Sequence, residues 1–315
     1  MPETLDRIPT NPLAVCPMID CNEKHQRLLY HSPTSRLTQN PPKDKTDIMR
    51  PTSILIIIPW LLVSASAWAL PMPSLPNPCT GPSGLLAELD RPTVADSACV
   101  AQPGRAILEM GYAHLNTNDG TRQTLPQTEL RFGLPHRNEF VLLPPNAIYA
   151  GNENGGETDY SAVVMGLKHE WGYTRRWIYT GEVLFTAPGT RNAAGTTDGW
   201  GTAVNGIVSY SVTHSVALGL MLGVTSLYDQ QGRRYTSLNP DFTATWLIDP
   251  RWQLYAEVYG QTHTGQGVGS GWDTDGGVQY LVTRRIEVDA EIGQRLSGAL
   301  GGYRHYWGMG AGWEF

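Results

Sequence analysis

Apolar and polar residues alternate along most of the chain after Arg105, which is the period of a β-strand. In the segment Trp252–Gln261, the even-numbered residues are mostly apolar and the odd-numbered ones include Gln253 and Glu257. The segment 285–292 has apolar residues at every even position and acidic residues at the odd positions from 287 onward. A soluble sheet alternates in the same way, so the spacing of the strands has to separate the two classes.

The pattern predicts twelve strands, most of them about the 9–11 residues that a tilted strand needs to cross a bilayer. They lie near residues 105–115, 123–133, 138–144, 160–170, 177–187, 202–212, 216–227, 236–247, 252–262, 273–282, 286–294 and 303–315. Short connections (134–137, 172–176, 213–215, 249–251 and 283–285) alternate with long ones (144–159, 188–201, 229–235 and 262–272). An even strand number with this sorting of loops predicts an all-β, transmembrane antiparallel β-barrel with short periplasmic turns and long outer loops.

Aromatic residues are predicted to form a belt at each rim of the barrel. Those near the short turns are Phe132, Trp171, Trp177, Trp246, Trp252, Tyr280 and Trp313, and those near the long loops are Tyr112, Tyr160, Phe185, Tyr228, Tyr259, Trp272 and Trp307. The last strand ends at Phe315, with Trp313 two residues before it. This ending resembles the C-terminal signal that the outer-membrane barrel assembly machinery recognises, so these two residues are the predicted assembly signal.

The N-terminal region predicts export. The only long apolar run, Ile54–Ala67, is shorter than the roughly 20 residues of a membrane-spanning helix. Met49 and the arginine after it precede this run, and the A-x-A sequence Ala67–Ala69 follows, so residues 49–69 are a predicted signal peptide. Residues 1–48 are polar and without pattern. They indicate either a start codon chosen too far upstream or a long cytoplasmic tail before a signal anchor.

Composition and charge narrow the class of protein. Charged residues make up only 17% of the chain, and a mean hydropathy of −0.27 is too low for a bundle of membrane helices. The chain has 23 basic and 29 acidic residues, of which 7 and 6 precede Leu70, so the exported part carries a net charge of −7. Such a surface has no basic stripe to bind a phosphate backbone, which excludes nucleic acid as a partner.

Residues 70–104 are rich in proline and cannot form a regular membrane strand. They contain Cys79 and Cys99, an even pair in an exported chain, which predicts a disulfide. The preferred interpretation is a periplasmic N-terminal arm tied by this disulfide, followed by the barrel at residues 105–315. The alternative is a constriction folded into the mouth of the barrel.

Several strand–turn segments resemble one known family. They are Trp246–Trp252, Tyr255–Tyr259, Tyr280–Ile286, Val288–Leu296 and Trp313–Phe315. Over roughly residues 100–315 the chain resembles the outer-membrane transporter family named for the meta-pathway of phenol degradation. The resemblance implies a barrel and the passage of small compounds, aromatic or hydrophobic ones included. It implies no catalytic or binding residues.

If the apolar face of each strand meets lipid, the opposite face lines the lumen. The predicted lumen-lining residues that could set selectivity are Glu109, Glu129, Arg131, Lys168, Glu170, Glu182, Glu257, Glu287, Asp289, Glu291 and Arg304. Their acidic excess would favour cations. Alternatively the charges are structural and pair across strands, for example Glu129 with Arg131 and Lys168. Small inward positions leave room for a pore or admit close packing; they are Gly166, Gly219, Gly223, Gly293, Gly308, Gly310 and Gly312.

The sequence offers no chemistry for catalysis. The six histidines after residue 69 lack metal-ligand spacing, and neither a nucleophile elbow nor a phosphate-binding loop is present. We therefore expect no cofactor, no metal and no enzyme, but a channel for passive passage of small solutes, with outer-membrane lipid, the assembly machinery and a solute as partners. The alternatives are a plugged structural or adhesive barrel that binds through its outer loops, a soluble secreted β-protein, and a membrane hydrolase built from His114, Ser226 and His305.

Overall fold

The computed structural model describes residues 77–118, 120–152, 155–188, 199–229, 232–298 and 300–315. The predicted leader and signal peptide lie outside these residues. The described elements are one short helix, α1 (Gly84–Glu88), and the strands β1 (Ala106–Thr117), β2 (Gly120–Leu125), β3 (Glu129–Leu134), β4 (Asn138–Leu143), β5 (Ala147–Asn152), β6 (Gly155–Tyr160), β7 (Val164–Tyr173), β8 (Trp177–Thr186), β9 (Gly201–Ser211), β10 (Val216–Tyr228), β11 (Arg234–Asp249), β12 (Trp252–Gln261), β13 (Gly271–Thr283), β14 (Ile286–Ser297) and β15 (Tyr303–Glu314). Among the described residues, no helix has the length and apolar character needed to cross a membrane.

The strands form one closed antiparallel barrel. From β7 to β15 each strand pairs with the next along the chain, β4 pairs with β7 and β3, and β15 returns to pair with β1, with Ile107 opposite Glu314. Twelve strands close the ring, because β2, β5 and β6 continue β3, β4 and β7 toward the long-loop end. The predicted twelve-stranded barrel is confirmed. Closure pairs the edges of the twelve ring strands, as the interior of a bilayer requires.

The strand predicted at 123–133 is divided in two. The chain leaves the sheet between Leu125 and Glu129, where Pro126 has no backbone N–H to donate to the ladder. The outer half, β2, pairs with β1 and β5, whereas the inner half, β3, pairs with β1 and β4. The long loop predicted at 144–159 consequently contains the β5–β6 hairpin, which raises this side of the wall.

Burial follows the predicted alternation with apolar residues outside and polar ones inside. On β12, Glu257 is 1% exposed, whereas its neighbour Val258 is 38% exposed. On β14, Ile292 is 70% exposed although Asp289 is buried. A water-soluble protein buries its apolar side chains; here they form the outer surface, as lipid contact requires. The barrel therefore has the apolar outer surface of a membrane-spanning protein.

Exposed aromatic side chains occur at both rims. Trp171, Trp177 and Trp246 lie near the short turns, and Tyr160 and Phe185 near the long loops. At the C-terminus, the rings of the last tryptophan and phenylalanine stack on the outside with centroids 4.5 Å apart. Their role as an assembly signal stays a prediction.

The prediction that Tyr259 belongs to the aromatic belt near the long loops is wrong. Tyr259 is only 3% exposed, because it shares the inward face of β12 with Glu257 and Gln261. The aromatic ring therefore belongs to the lumen and not to the lipid surface.

Candidate functional site

Residues 77–104, which we call the arm, lie inside the barrel. Its helix α1 presents Leu85 and Leu86, which form an apolar cluster with Ile107 and Leu281 of the wall. A disulfide joins Cys79 to Cys99, as predicted, with the two Cα atoms 5.6 Å apart. The preferred interpretation placed these residues in a periplasmic extension, whereas they contact inward-facing residues of the barrel. The alternative, a constriction folded into the mouth of the barrel, agrees with this position, and its constricting role stays a prediction. A proline-rich chain without a sheet partner satisfies its backbone here against side chains of the wall.

The first of these wall groups is a buried arginine. Arg131, which is fully buried, donates two hydrogen bonds to Glu139 at 2.8 and 3.0 Å and a third to Glu109 at 3.1 Å. The same guanidinium lies 3.1 Å from the carboxylate of Asp90 in the arm and donates to the backbone carbonyl of Glu88. Arg131 thus connects two strands of the wall to the arm.

Lys168 completes this ion-pair network. Its ammonium lies 3.0 and 3.2 Å from the two carboxylate oxygens of Asp90. Burial alone would raise the pKa of Asp90, but the charges of Arg131 and Lys168 hold it below its ordinary value. The arm aspartate is therefore ionised and bound between two buried cations.

Three glutamates of the wall accept hydrogen bonds from the backbone of the arm. Glu109 accepts from the amides of Asp90 and Arg91 at 3.2 and 2.7 Å, and Glu257 accepts from those of Val94 and Ala95 at 2.7 and 2.9 Å. Glu139 accepts from the amide of residue 101. Such charge-assisted bonds are about twice as strong as neutral ones. Because the three glutamates stand on different strands, they fix the path of the arm across the lumen.

Arg91 of the arm lies against glycines of the wall. Its guanidinium donates to Gln127 at 2.9 Å and to Asp289 at 3.2 Å. A Cβ atom added to Gly111 would lie 2.3 Å from this guanidinium, and one added to Gly310 would lie 2.5 Å from it. These positions are small because the arm packs on them, so the packing alternative for Gly310 is correct.

The wall has two unlike regions. The charged wall is the inward face of β14, β1, β3, β4 and β7, formed by Glu287, Asp289, Glu291, Glu109, Glu129, Arg131, Glu139, Lys168 and Glu170. The neutral wall is the inward face of β9 and β10, formed by Asn205, Ile207, Ser209, Ser211, Ala217, Gly219, Met221, Gly223 and Thr225. In the described part of the chain, no hydrogen bond of the arm reaches the neutral wall; Ala95 and Ala98 make only apolar contact with Ile207 and Met221.

A cavity of about 760 Å³ lies between the arm and the neutral wall. It extends to the short turns, where Arg175, Arg176 and His214 line it. Its other lining groups are mostly small, hydroxylic or apolar, and they include Ser209 and Gly219. The cavity leaves space for a small solute beside the arm.

The predicted lumen-lining residues differ in the groups that they contact. Those in contact with the arm include Glu109, Arg131, Lys168, Glu257 and Asp289, with Glu291 3.8 Å from Arg91 and Glu182 hydrogen-bonded to Asp96. Glu182 accepts a hydrogen bond from Asn205 at 2.8 Å, Glu170 lies 3.5 Å from Arg137, and Glu129 and Glu287 are buried. The alternative of structural charges holds for the group that contacts the arm, although the expected pairing of Glu129 with Arg131 and Lys168 is absent from the described residues.

The prediction that Arg304 lines the lumen is wrong. Its side chain is exposed and donates to Asn118 at 2.7 Å. The register between β1 and β15 shifts at this point, so that Thr117 pairs with Tyr303, which takes the buried inward place. A strict two-residue period carried through the shift placed Arg304 in the lumen.

The sequence argument missed Glu139, Asp90 and Arg91. Glu139 stands in the short β4, whose alternation is brief, although its inward position two residues before Val141 was a usable signal. The arm has no period, so only its charged pair at 90–91, inside a proline-rich segment, hinted at a role.

Solved structures similar in fold to this chain include two porins and a channel. They include the NanC porin (12% identity, 65% of this chain and 98% of that chain, TM-score 0.47) and the KdgM porin (8% identity, 66% and 99%, TM-score 0.45). A third is the CymD monoaromatic hydrocarbon channel (8% identity, 68% and 88%, TM-score 0.37). None of the curated protein sequences matches this chain.

A family model matches residues 89–300, which span the second half of the arm and all but the last barrel strand. The match begins inside the arm, at the segment that contacts the charged wall. The chain belongs to the family described as "Putative MetA-pathway of phenol degradation".

Proposed function

We propose that this barrel is a passive channel for small solutes, with the arm as a fixed constriction and the solute path along the neutral wall. The observation that carries the proposal is the cavity of about 760 Å³ between the arm and that wall. The family description, with its reference to phenol degradation, favours aromatic compounds among the solutes. The proposal includes no catalytic step.

The contacts of His114 and Ser226, two of the residues considered for a hydrolase, support a function without a catalytic step. His114 stacks on Trp307, an exposed residue of the lipid-facing surface, with ring centroids 5.7 Å apart. Ser226 accepts a hydrogen bond from Arg234 at 2.9 Å. Neither contact is that of a nucleophile with its base.

The conductance of planar bilayers containing the purified protein tests the channel. Gly219 lines the cavity, and a Cβ atom added there meets only Thr243, at an ordinary contact distance of 3.4 Å. Gly219→Phe is therefore expected to place its ring in the cavity and lower the unitary conductance. Gly206→Phe is the matched control, because Gly206 is exposed on the lipid side and an added Cβ meets nothing within 4 Å.

Equal conductance in both variants would place the path elsewhere. The rival function is a plugged barrel that binds through its outer loops, and the density of bonds between the arm and the charged wall favours it. Silent bilayers with a folded, heat-modifiable protein would support this rival and overturn the channel.

A further inference from the structure

Basic side chains are concentrated at one end of the cavity. Arg175 and Arg176 belong to the short turn between β7 and β8, and His214 belongs to the short turn between β9 and β10. All three are exposed and line the cavity where it reaches the short turns, and we call them the basic mouth. A cleft with walls of low dielectric constant focuses the field of such charges, so they act on any solute that passes.

The two arginines of the basic mouth have no acidic partner. In the described part of the chain, neither Arg175 nor Arg176 forms an ion pair, and the side chain of Arg176 donates one hydrogen bond, to the hydroxyl of Tyr210 at 3.4 Å. The exposed Arg137 of another short turn differs, because it lies 3.5 Å from the carboxylate of Glu170. A guanidinium has five N–H donors, so the basic mouth retains both charge and donors for a ligand.

The carboxylates of the lumen do not balance this charge. Asp96 is the one acidic residue among the described residues that line the cavity. Desolvation, together with the nearby carboxylates of Glu182 and Asp90, raises the pKa of Asp96 well above its ordinary value, so this carboxyl is neutral. Arg91 also lines the cavity, but Asp289 balances its charge at a distance of 3.2 Å. The excess charge of the cavity is therefore that of the basic mouth.

The lining changes from polar to apolar with distance from the mouth. Along β9, the inward side chains that follow one another away from the short turn are Ser211, Ser209 and Ile207. Ile207 packs with Ala95 and Ala98 of the arm, which also line the cavity. The serine hydroxyls donate hydrogen bonds, whereas the deeper side chains offer only apolar contact. This order matches a solute with a negative group at the mouth and a hydrocarbon part deeper inside.

We propose that the channel prefers small organic anions, and that the basic mouth binds their carboxylate at the short-turn end of the cavity. Guanidinium groups present paired donors whose geometry matches a carboxylate. The preference for cations expected from the sequence depended on carboxylates such as Glu109 and Glu287, neither of which is among the described residues that line the cavity. The inference rests on the proposed channel function, because it names the class of solute for the channel.

The reversal potential of planar bilayers in a KCl gradient tests the charge preference. The unmodified channel is expected to pass Cl⁻ in preference to K⁺. The preference should decline at high salt, because the Debye length falls from about 10 Å at 0.1 M to about 3 Å at 1 M. A double Arg175→Gln, Arg176→Gln variant is expected to lose the preference, since it removes the unpaired charge and leaves the rest of the lining in place.

A double Arg284→Gln, Arg285→Gln variant is the matched control. These arginines stand in a short turn of the same Thr-Arg-Arg sequence, where Thr283, like Thr174, accepts the amide of the second arginine. Neither is among the described residues that line the cavity, so the control should keep the anion preference. A cation preference in the unmodified channel, or an equal loss of preference in the two double variants, would overturn the inference.

Titration calorimetry with the protein extracted from outer membranes tests the binding of a carboxylate without conduction. The probes are benzoate, its neutral analogue benzyl alcohol, and the cation benzylammonium. Benzoate is expected to bind most tightly, and the Arg175→Gln, Arg176→Gln variant should bind it about tenfold more weakly, because each exposed ion pair contributes a few-fold. Equal binding of benzoate and benzyl alcohol would overturn the inference. Heat-modifiable migration confirms that each variant is folded.

The two measurements separate this inference from the proposed function. Benzoate binding that depends on the two arginines, in a protein that forms no pore, would leave the site and remove the channel. A pore that responds to Gly219→Phe but has no preference for anions would leave the channel and remove the inference.

Discussion

The charged wall and the neutral wall belong to one barrel and have the same strand geometry, yet they treat the arm differently. The charged wall binds the arm through Arg131, Lys168 and two glutamates that accept arm amides, Glu109 and Glu139. Glu257 of β12, outside this wall, accepts two further amides of the arm. The neutral wall, in the residues described, contacts it only through apolar groups and borders the cavity. The comparison indicates that charge in this lumen serves first to hold the arm, and the proposed solute path lies along the wall whose own inward side chains are neutral.

The strongest way to break this division is to remove the arginine that connects wall and arm. Arg131→Met leaves Asp90, Glu109 and Glu139 buried without their common cation, and losing one partner of such a network destabilises by about 3–5 kcal/mol. We expect a lower temperature for loss of heat-modifiable migration, together with a larger and noisier conductance as the arm loosens. An unchanged conductance would show that the arm is held by other contacts.

Arg304→Met is the control for that variant. Arg304 is also a barrel arginine with a hydrogen bond, but it is exposed and its partner is Asn118. A surface change of this kind is expected to alter stability by no more than about 0.5 kcal/mol.

The disulfide is the next largest contribution. Cys79 and Cys99 are 20 residues apart, and closing a loop of this length restricts the unfolded chain by about 3 kcal/mol. Reduction is expected to expose the start of the arm to protease while the strands remain protected. A double Cys79→Ala, Cys99→Ala variant should show that cleavage without reductant and no further response to it. Resistance of the reduced protein would mean that the contacts of the arm alone hold it.

The sequence was sufficient to predict the barrel but not the position of the arm. Alternation, strand length and loop sorting follow from the bilayer, which imposes the same period on every strand, so the twelve strands and the inward faces were predictable. The arm has no period, and its position depends on pairings such as Asp90 with Lys168, 78 residues apart. Within the barrel, two predictions failed. Tyr259 was assigned to the aromatic belt from its residue type, and Arg304 was assigned to the lumen from a strict two-residue period, although the local strand register places each on the other side.

Gly310 of β15, the strand between β14 and β1, tests the packing of the arm without changing any charge. Gly310→Leu would place its Cβ 2.5 Å from Arg91 and 2.7 Å from Asp289, so the arm has to shift. Overpacking of this kind destabilises by about 1–3 kcal/mol, and we expect the shift to narrow or distort the cavity and change the conductance. Gly206→Leu, on the lipid side, is the matched substitution and should change neither quantity.

The smallest effect on stability is expected from a substitution of Glu257, which tests the hydrogen bonds to one short segment of the arm. Glu257→Gln keeps one acceptor oxygen and removes the charge, so one of the two bonds to the amides of Val94 and Ala95 is lost and the other weakens, at a cost of about 1–2 kcal/mol. Hydrogen exchange followed by mass spectrometry should show faster exchange in the arm peptide that contains these amides. Glu170→Gln removes a buried carboxylate whose ion pair is with Arg137, outside the arm, and should leave that peptide unchanged. Equal exchange in the two variants would mean that the arm is fixed by the Arg131 network alone, and that the division between the walls depends on ion pairs rather than on backbone recognition.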